Sequence, residues 1–172
     1  MDLSQFVGHL YDEYHAGLFY YALSLLKREA DAEEALQNLF LGLISQKQKI
    51  RQIQQMKSYL FTGVRMESLK ILRSKNRYEQ KLEDFGQLPS LQPIPDSPYS
   101  EVEALEVEKA LEELPSEQKE VLVLKNFNQL TFQEIAQITE SSPDTVASRY
   151  RYGLQKLSHK FKKSSFSSME VE

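Results

Sequence analysis

The sequence predicts an all-α protein built from two small helical domains. Apolar side chains recur at spacings of three and four along most of the chain, which is the period of an α-helix, and no segment offers sustained β alternation. The segment 88–99, LPSLQPIPDSPY, contains four prolines, and each disfavours helix in the residue before it. With 172 residues, the chain has room for one medium domain or two small ones. We therefore predict a helical domain at 1–81, a proline-rich acidic linker at 82–99, a second helical domain at 100–163 and a disordered tail at 164–172.

Three helices are predicted in the first domain. The first has one apolar face, formed by Val7, Tyr11, Tyr14, Leu18, Tyr21 and Leu25. A capping box of Asp31 and Glu34 predicts the start of the second helix, which turns inward Leu36, Leu39, Phe40, Leu43 and Ile44. The stretch 46–55 lacks clear periodicity and predicts a loop or short turn. The third helix is predicted from about Lys57 to about Gln80, with an inward face of Leu60, Val64, Ile71 and Leu72.

The second domain is predicted to open with another capping box, formed by Ser100 and Glu103, and an acidic helix over 101–113. A helix over 117–127 follows, and its core residues are Val121, Leu122, Leu124 and Phe127. The residues from 164 onward are rich in serine and are expected to be frayed.

The stretch 130–157, LTFQEIAQITESSPDTVASRYRYGLQKL, predicts a helix-turn-helix. Thr131 is the expected N-cap of its first helix, which turns inward Phe132, Ile135, Ala136 and Ile138. Ser142 is a good N-cap for the second helix, and Pro143 suits its first position. The inward stripe of the second helix is Val146, Tyr150, Gly153, Leu154, Leu157 and Phe161.

The opposite stripe of the second helix carries the side chains that a major groove would meet: Asp144, Ala147, Ser148, Arg151 and Gln155. Arg149, Tyr152 and Lys156 flank this stripe and can reach phosphate, and Tyr152 can also touch a base. The alternative is an ordinary helical hairpin with a solvated polar face. The helical spacing, the caps and the Thr-Val-x-Ser-Arg run together favour DNA binding.

The charge is divided into blocks of opposite sign. Net charge is −5 over residues 1–44, +8 over 45–81, −8 over 82–114 and +3 over 115–163, while the whole chain carries only −4. Such blocks indicate separate surfaces for separate partners, or surfaces that mask each other. The small overall charge argues against a generic DNA-coating protein.

Nothing in the sequence indicates catalysis or metal binding. The chain has no cysteine, and His9, His15 and His159 are dispersed without ligand spacing. We expect no catalytic residue, no metal, no cofactor and no small-molecule substrate. No window approaches the roughly 18 apolar residues of a membrane span, and the acidic N-terminus is unlike a signal peptide. The sequence therefore predicts a cytoplasmic protein without membrane insertion.

Three stretches, in order, resemble a bacterial sigma factor of the extracytoplasmic-function group of the sigma-70 family. DAEEALQNLFLGL (31–43) resembles the family's region 2.2, and MKSYLFTGVRMESLKILRSKNR (56–77) resembles regions 2.3 and 2.4. The stretch 110–157, which contains the helix-turn-helix, resembles region 4. The resemblance covers nearly the full length. It implies a region 2-like domain and a region 4-like domain on either side of the linker.

The resemblance implies that the first domain binds core RNA polymerase and the −10 promoter element. The positions matching the contact with the polymerase clamp coiled coil are Glu34, Gln37, Asn38, Phe40 and Leu41. Core packing is an alternative for Phe40 and Leu41, and it is the favoured role for Phe40. The positions matching the −10 segment, which opens the element and traps unstacked bases, are Lys57, Tyr59, Phe61, Arg65, Lys70, Arg73, Lys75 and Arg77. Core packing is an equal alternative for Tyr59 and Phe61.

The resemblance also implies that the second domain reads the −35 element as duplex. Base-reading positions fall at Ala147, Ser148, Arg151 and Tyr152, and phosphate-contacting positions fall at Thr131 and Arg149. The fork of Arg151 can bond O6 and N7 of a guanine together. The other partners that the resemblance implies are the polymerase flap and, for some family members, an anti-sigma factor.

Several positions depart from the family pattern. Asn38 stands where an acid is frequent, Met66 where an asparagine is common, and Ala147 where lysine or arginine is frequent. Gly63 falls inside the third helix and predicts a bend or an earlier end. A glycine usual in the turn of the helix-turn-helix is replaced near Glu140. These departures put the promoter sequence in doubt, not the class of protein.

Two other functions fit part of the pattern. A stand-alone dimeric helix-turn-helix regulator would need a self-complementary interface and a palindromic site, and it leaves the basic block 45–81 poorly explained. An adaptor that keeps only a polymerase-binding surface would lack the DNA contacts.

Overall fold

The computed structural model describes residues 2–46, 50–79 and 101–167. In these residues the regular structure is helical and contains no strand, which confirms the predicted all-α class. The α-helices are α1 (Leu3–Leu26), α2 (Glu29–Ser45), α3 (Met56–Glu79), α4 (Glu101–Glu112), α5 (Ser116–Leu122), α6 (Phe132–Thr139) and α7 (Pro143–Ser167). Two compact units divide the chain, the first holding α1–α3 and the second holding α4, α5, α7 and the start of α6. No helix in the described part of the chain is long and apolar enough to cross a membrane.

α1 supplies the centre of the first unit. It ends at Lys27, whose left-handed backbone (φ 61°) lets its N–H donate to the carbonyl of Leu23 at 2.8 Å. Leu18 and Tyr21 are fully buried, as the apolar spacing predicted. Tyr11 was expected on the same inward face, but it is 41% exposed. The prediction is therefore wrong at Tyr11, which lies at the edge of the core.

α2 begins earlier than the predicted capping box. The N–H of Ala32 donates to the carbonyl of Arg28 at 3.0 Å, so the first turn is already closed when the chain reaches Asp31. Asp31 is consequently a helical residue, only 7% exposed, and the prediction that it caps the helix is wrong. Ile44 was also predicted to point inward and is instead 46% exposed.

α3 follows a short 3₁₀ turn, Ile50–Gln52, in the stretch predicted to be a loop or turn. Its bounds match the prediction closely, and Leu60 and Val64 are fully buried. Gly63 does not end the helix, which continues to Glu79. A Cβ at Gly63 would lie 2.5 Å from Cδ1 of Leu39, so the missing side chain is what lets α2 and α3 approach.

The glycines of this unit give a test of that packing. Gly63→Ala is expected to lower the free energy of unfolding by about 1 kcal/mol, because crowding against Leu39 outweighs the gain in helix propensity. Gly8→Ala is the matched control, since nothing lies within 4 Å of its Cβ position, and it should stabilise by up to about 1 kcal/mol. Urea unfolding measures both, and equal stabilisation by the two variants would contradict the close approach.

In the second unit, α4, α5 and α7 enclose a core of Leu111, Leu114 and Leu122, against which Val107, Tyr150 and Leu157 pack. α5 continues into a π-helical turn, Val123–Phe127, so the predicted helix over 117–127 is present in two parts. Phe127 was expected in the core and is 46% exposed. The predicted cap at Ser100 and Glu103 lies outside the described side chains.

Gly153 brings α7 close to α5. A Cβ there would lie 2.8 Å from Cδ1 of Leu122, which is 1% exposed. Leu154, the next residue, was predicted to face inward but is 39% exposed, because the inward stripe already passes through its neighbour. α7 continues through Ser167, four residues into the predicted tail.

The turn between α6 and α7 is a tight helix-to-helix connection. Glu140 has a left-handed backbone (φ 54°), at the place where sequence analysis noted a missing glycine. The N–H of Ser141 donates to the carbonyl of Ala136 at 2.9 Å and that of Glu140 to Gln137 at 3.4 Å, the bonds of a Schellman motif. α7 then starts as predicted, with the Oγ of Ser142 accepting the N–H of Thr145 at 3.1 Å.

Candidate nucleic-acid interface

The outward face of α7 carries the four residues predicted to read bases. Successive residues of an α-helix are rotated by about 100°, so Ala147, Ser148, Arg151 and Tyr152 fall within an arc of about 140°. Arg151 and Tyr152 are exposed, the latter at 52%, while Ala147 and Ser148 are half-buried. The buried Val146 and Gly153 occupy the other side of the helix. The predicted reading residues therefore share one accessible face.

Arg151 and Tyr152 interact within this face. The guanidinium carbon of Arg151 lies 5.7 Å from the centroid of the Tyr152 ring, which is within the range of a cation–π contact. Such a contact contributes about 0.5–1 kcal/mol at an exposed site.

Thr131 lies at the start of α6 and forms a complete capping box with Glu134. Its Oγ1 accepts the N–H of Glu134 at 3.2 Å, and its own N–H donates to Oε2 of Glu134 at 2.7 Å. The predicted N-cap role is confirmed. The Thr131 side chain is exposed, so a phosphate contact from this position stays a prediction.

Arg149 differs from the other predicted contacts of α7. Its side chain is 25% exposed, its Nη1 donates to Oγ of Ser141 at 2.9 Å, and its Nη2 lies 3.2 Å from Oε1 of Glu117. Two residues along a helix amount to about 200°, so Arg149 points about 160° away from Arg151. Arg149 is thus bound to α5 and to the turn between α6 and α7, at the flank of the predicted base-reading face.

The outer face of α3 carries only part of the predicted −10 set. Tyr59, Lys70 and Arg73 fall within an arc of about 60° on the side opposite the core residues. Lys70 and Arg73 are exposed, and Nζ of Lys70 lies 2.6 Å from Oε1 of Glu67. Met66 lies in the middle of this arc and is 56% exposed. Met66 departs from the family pattern and was not among the predicted site residues.

The remaining predicted −10 residues have other surroundings. Phe61 is 1% exposed and its ring centroid lies 5.8 Å from that of Tyr21, so it is a core residue and the predicted base contact is wrong. Lys57 and Arg65 are half-buried. The side chain of Arg77, although α3 includes this residue, lies outside the described residues.

Lys75 was predicted to meet DNA, but its Nζ bonds to Oδ2 of Asp31 across the α2–α3 contact. The Asp31 side chain is 10% exposed and that of Lys75 is 31% exposed, so most of this ion pair is withdrawn from water. The Nε of Arg28 lies 3.9 Å from the same carboxylate oxygen. The Lys75 side chain therefore points toward α2, where it pairs with the nearly buried carboxylate of Asp31.

Lys75→Ala is expected to lower the free energy of unfolding by about 2 kcal/mol, because it leaves a nearly buried carboxylate without its main partner. Lys70→Ala is the matched control. Its pair with Glu67 is on the surface, with the lysine side chain 60% exposed, and its loss should cost less than about 1 kcal/mol. Urea unfolding compares the two, and equal losses would contradict the structural role of Lys75.

A third face lies on α2. Glu34, Gln37, Asn38 and Leu41, the predicted polymerase contacts, are all exposed and fall within an arc of about 100°. Leu41 is 65% exposed, and Ile44, which was not predicted as a contact, extends this apolar surface by one turn. Phe40 lies in the core as expected, with its ring edge-on to that of Tyr11 at 5.1 Å.

Two groups, one on α1 and one on α4, have raised pKa values. Burial raises the pKa of Tyr14 on α1, and a hydrogen bond and the charge of Glu13 raise it further. Burial also raises the pKa of Glu108 on α4, where Glu112 adds to the effect and Lys119 opposes it. Within the described residues, no cluster of three or more acidic or histidine side chains could hold a metal ion.

Comparison with known proteins matches two stretches of the chain to family models. A model of "Sigma-70 region 2" matches residues 10–78, and one of "Sigma-70, region 4" matches residues 104–157. The RNA polymerase sigma factor SigV of Bacillus subtilis (strain 168) is 25% identical over 128 residues, which are 74% of this chain and 74% of that protein.

Two solved structures share the fold. One is the sigma factor RpoE in complex with the anti-sigma factor NepR from Bartonella quintana, with a TM-score of 0.74, 21% identity, and coverage of 90% of this chain and 97% of that one. The other is CnrH in complex with the cytosolic domain of CnrY, with a TM-score of 0.66, 18% identity, and coverage of 93% and 90%.

Proposed function

This chain belongs to the sigma-70 family, in its extracytoplasmic-function group, and we propose which of its three exposed helix faces bind the −35 element, the −10 element and RNA polymerase. As a sigma factor it binds core RNA polymerase and promoter DNA and directs promoter-specific transcription. The proposal concerns which residues do this. Its main support is that the predicted contacts, apart from the exceptions described above, lie on accessible helix faces.

The face of α7 formed by Ala147, Ser148, Arg151 and Tyr152 is proposed to read the −35 element in the major groove. Arg151 is exposed and held near Tyr152, which suits a guanine contact through its planar fork. Ala147 can contribute only apolar contact. Base discrimination then depends mainly on Ser148, Arg151 and Tyr152.

The outer face of α3 is proposed to hold the opened −10 strand. Such a surface needs cations that follow the backbone and side chains against which bases can pack. Lys70 and Arg73 supply the cations, while Tyr59 and Met66 supply the packing surface. Phe61 and Lys75 are left out of this set because one is in the core and the other is paired with Asp31.

Arg73→Ala is expected to weaken holoenzyme binding to a promoter with a single-stranded −10 segment. The slope of log affinity against log salt should fall by about 0.7, the value for one phosphate of a single strand. Lys75→Ala is the comparison, and its slope should stay at the wild-type value. An unchanged slope for Arg73→Ala would mean that its guanidinium does not meet the backbone.

The exposed stripe of α2, from Glu34 to Leu41 with Ile44 beside it, is proposed to bind the clamp coiled coil of the polymerase. The two structural relatives are complexes with the anti-sigma factor NepR and with the cytosolic domain of CnrY, and an anti-sigma factor is a proposed partner here too. We further propose that the protein acts in the cytoplasm and performs no catalytic step itself, since the polymerase carries out the chemistry.

Transcription by core polymerase plus this protein, on a library of random promoter sequences, tests the function directly. Sequencing of the transcript starts should recover two conserved elements at a fixed spacing upstream. Addition of the protein without any new start sites would refute the proposal. Tight binding of the free protein to a palindromic duplex as a dimer would instead support the stand-alone regulator.

A further inference from the structure

We infer that Arg149 is a positioning residue of the −35 reader, which ties the helix-turn-helix to α5 and acts on DNA through Ser148 and Arg151, not through a phosphate contact. This inference rests on the proposed function of α7. It also replaces the phosphate role predicted from the sequence for Arg149.

The contacts of Arg149 join three separate parts of the second unit. One terminal nitrogen of its guanidinium donates to Oγ of Ser141 in the turn, at 2.9 Å. The other lies 3.2 Å from Oε1 of Glu117, in the first turn of α5. A planar guanidinium can hold two partners at fixed angles, which a lysine ammonium on its flexible stem cannot do as well. Arg149 thereby links α5, the turn and α7.

The contacts of Arg149 set it apart from the reading face. It lies about 160° around α7 from Arg151 and about 60° from Tyr152 at the edge of that face, and both terminal nitrogens of its guanidinium contact protein oxygens. Its side chain is 25% exposed, whereas that of its partner Glu117 is 65% exposed. The pair therefore lies at the edge of the α5–α7 contact, with the arginine on the protein side.

The turn between α6 and α7 has an unfavourable backbone conformation that additional bonds can stabilise. Glu140 adopts a left-handed backbone (φ 54°), which is unfavourable for a residue with a side chain. The backbone bond from Ser141 to Ala136 holds the turn from one side, at 2.9 Å. Arg149 holds the side chain of the same serine from the other side. Loss of Arg149 would let the angle between α6 and α7 vary, and the alignment of Ser148 and Arg151 with base edges would vary with it.

The test uses the full-length protein in holoenzyme, bound to a promoter with its preferred −35 element and to one with that element altered. Arg149→Ala should reduce discrimination between the two promoters about tenfold, the equivalent of losing one aligned base contact. Its slope of log affinity against log salt should equal that of the wild type. Arg149→Lys should restore only part of the discrimination, because lysine keeps the charge without the fork.

Glu117→Gln removes the negative charge that pairs with Arg149 and leaves Arg149 in place. Thermal unfolding of this variant verifies that the domain is folded. The substitution should reduce discrimination to a smaller extent, and should have no further effect when combined with Arg149→Ala. Glu112→Gln is the charge-matched control: it removes one negative charge from an exposed position of the same unit, and discrimination should not change.

Two results would overturn the inference. One is a salt slope that falls by about 1 in Arg149→Ala with discrimination intact, because that is the effect of losing a phosphate contact. The other is tighter DNA binding by Glu117→Gln, which would mean that the carboxylate competes with DNA for Arg149. A wild-type holoenzyme with no −35 preference would refute the proposed function, and this inference with it.

Discussion

Leu41→Asp is expected to lower the affinity of the protein for core RNA polymerase by about thirtyfold or more, since a central apolar contact of an interface is worth about 2 kcal/mol or more. Leu41 is 65% exposed on the α2 stripe, so its side chain has surface to bury against a partner. Aspartate removes that surface and adds a charge that must be desolvated. Binding of labelled protein to core polymerase measures the effect.

Leu154→Asp is the matched control for this experiment. Leu154 is another exposed leucine, at 39%, but it belongs to α7 and not to the α2 stripe. Its replacement makes the same chemical change and should leave most of the polymerase affinity in place. Circular dichroism should show both variants helical, because neither side chain is in the core. Equal losses in the two variants would count against a polymerase-binding role for α2.

Arg151→Ala is expected to reduce the preference for one −35 base pair by about 1–3 kcal/mol, roughly five- to 150-fold in affinity for the preferred sequence. The exposed guanidinium is the one side chain of this face with a donor fork that matches O6 and N7 of guanine. Other positions of the −35 element should be read as before. Affinities for a set of single-base −35 variants measure this directly.

Lys156→Ala provides the contrast for Arg151→Ala. Lys156 is exposed and flanks the reading face, so its loss should weaken binding to all −35 sequences to a similar degree and lower the salt slope by about 1. If Arg151→Ala behaved in this uniform way instead, Arg151 would be a phosphate contact, and base reading would rest on Ser148 and Tyr152.

Local chemistry explains which features could be predicted from the sequence. Thr131 and Ser142 act as N-caps because a short hydroxyl side chain can bond the free N–H groups a few residues ahead, whatever the rest of the fold does. Leu60 and Val64 are buried because four residues along a helix return to nearly the same face. Such features depend on neighbours in the sequence, which are known in advance.

The two errors among the predicted DNA contacts, at Phe61 and Lys75, occurred where a distant residue decides the outcome. Phe61 is buried because Tyr21 of α1 packs against it, and Lys75 turns inward because Asp31 of α2 lies opposite. The contact of Arg149 with Glu117, 32 positions earlier in the sequence, is likewise invisible in the local sequence. A basic or aromatic residue in a DNA-binding segment has the same local pattern whether it faces a ligand or a helix. Only the packing distinguishes the two.

Gly153 connects the reading face of α7 to the core beneath it. At Gly153, two positions after Arg151, α7 packs against Leu122, and the absence of a Cβ at Gly153 allows this close contact. A substitution at Leu122 is expected to tilt or lift α7 and so to move Arg151. Under the role proposed for α7, promoter preference can therefore change through core mutations that leave every DNA-facing residue in place.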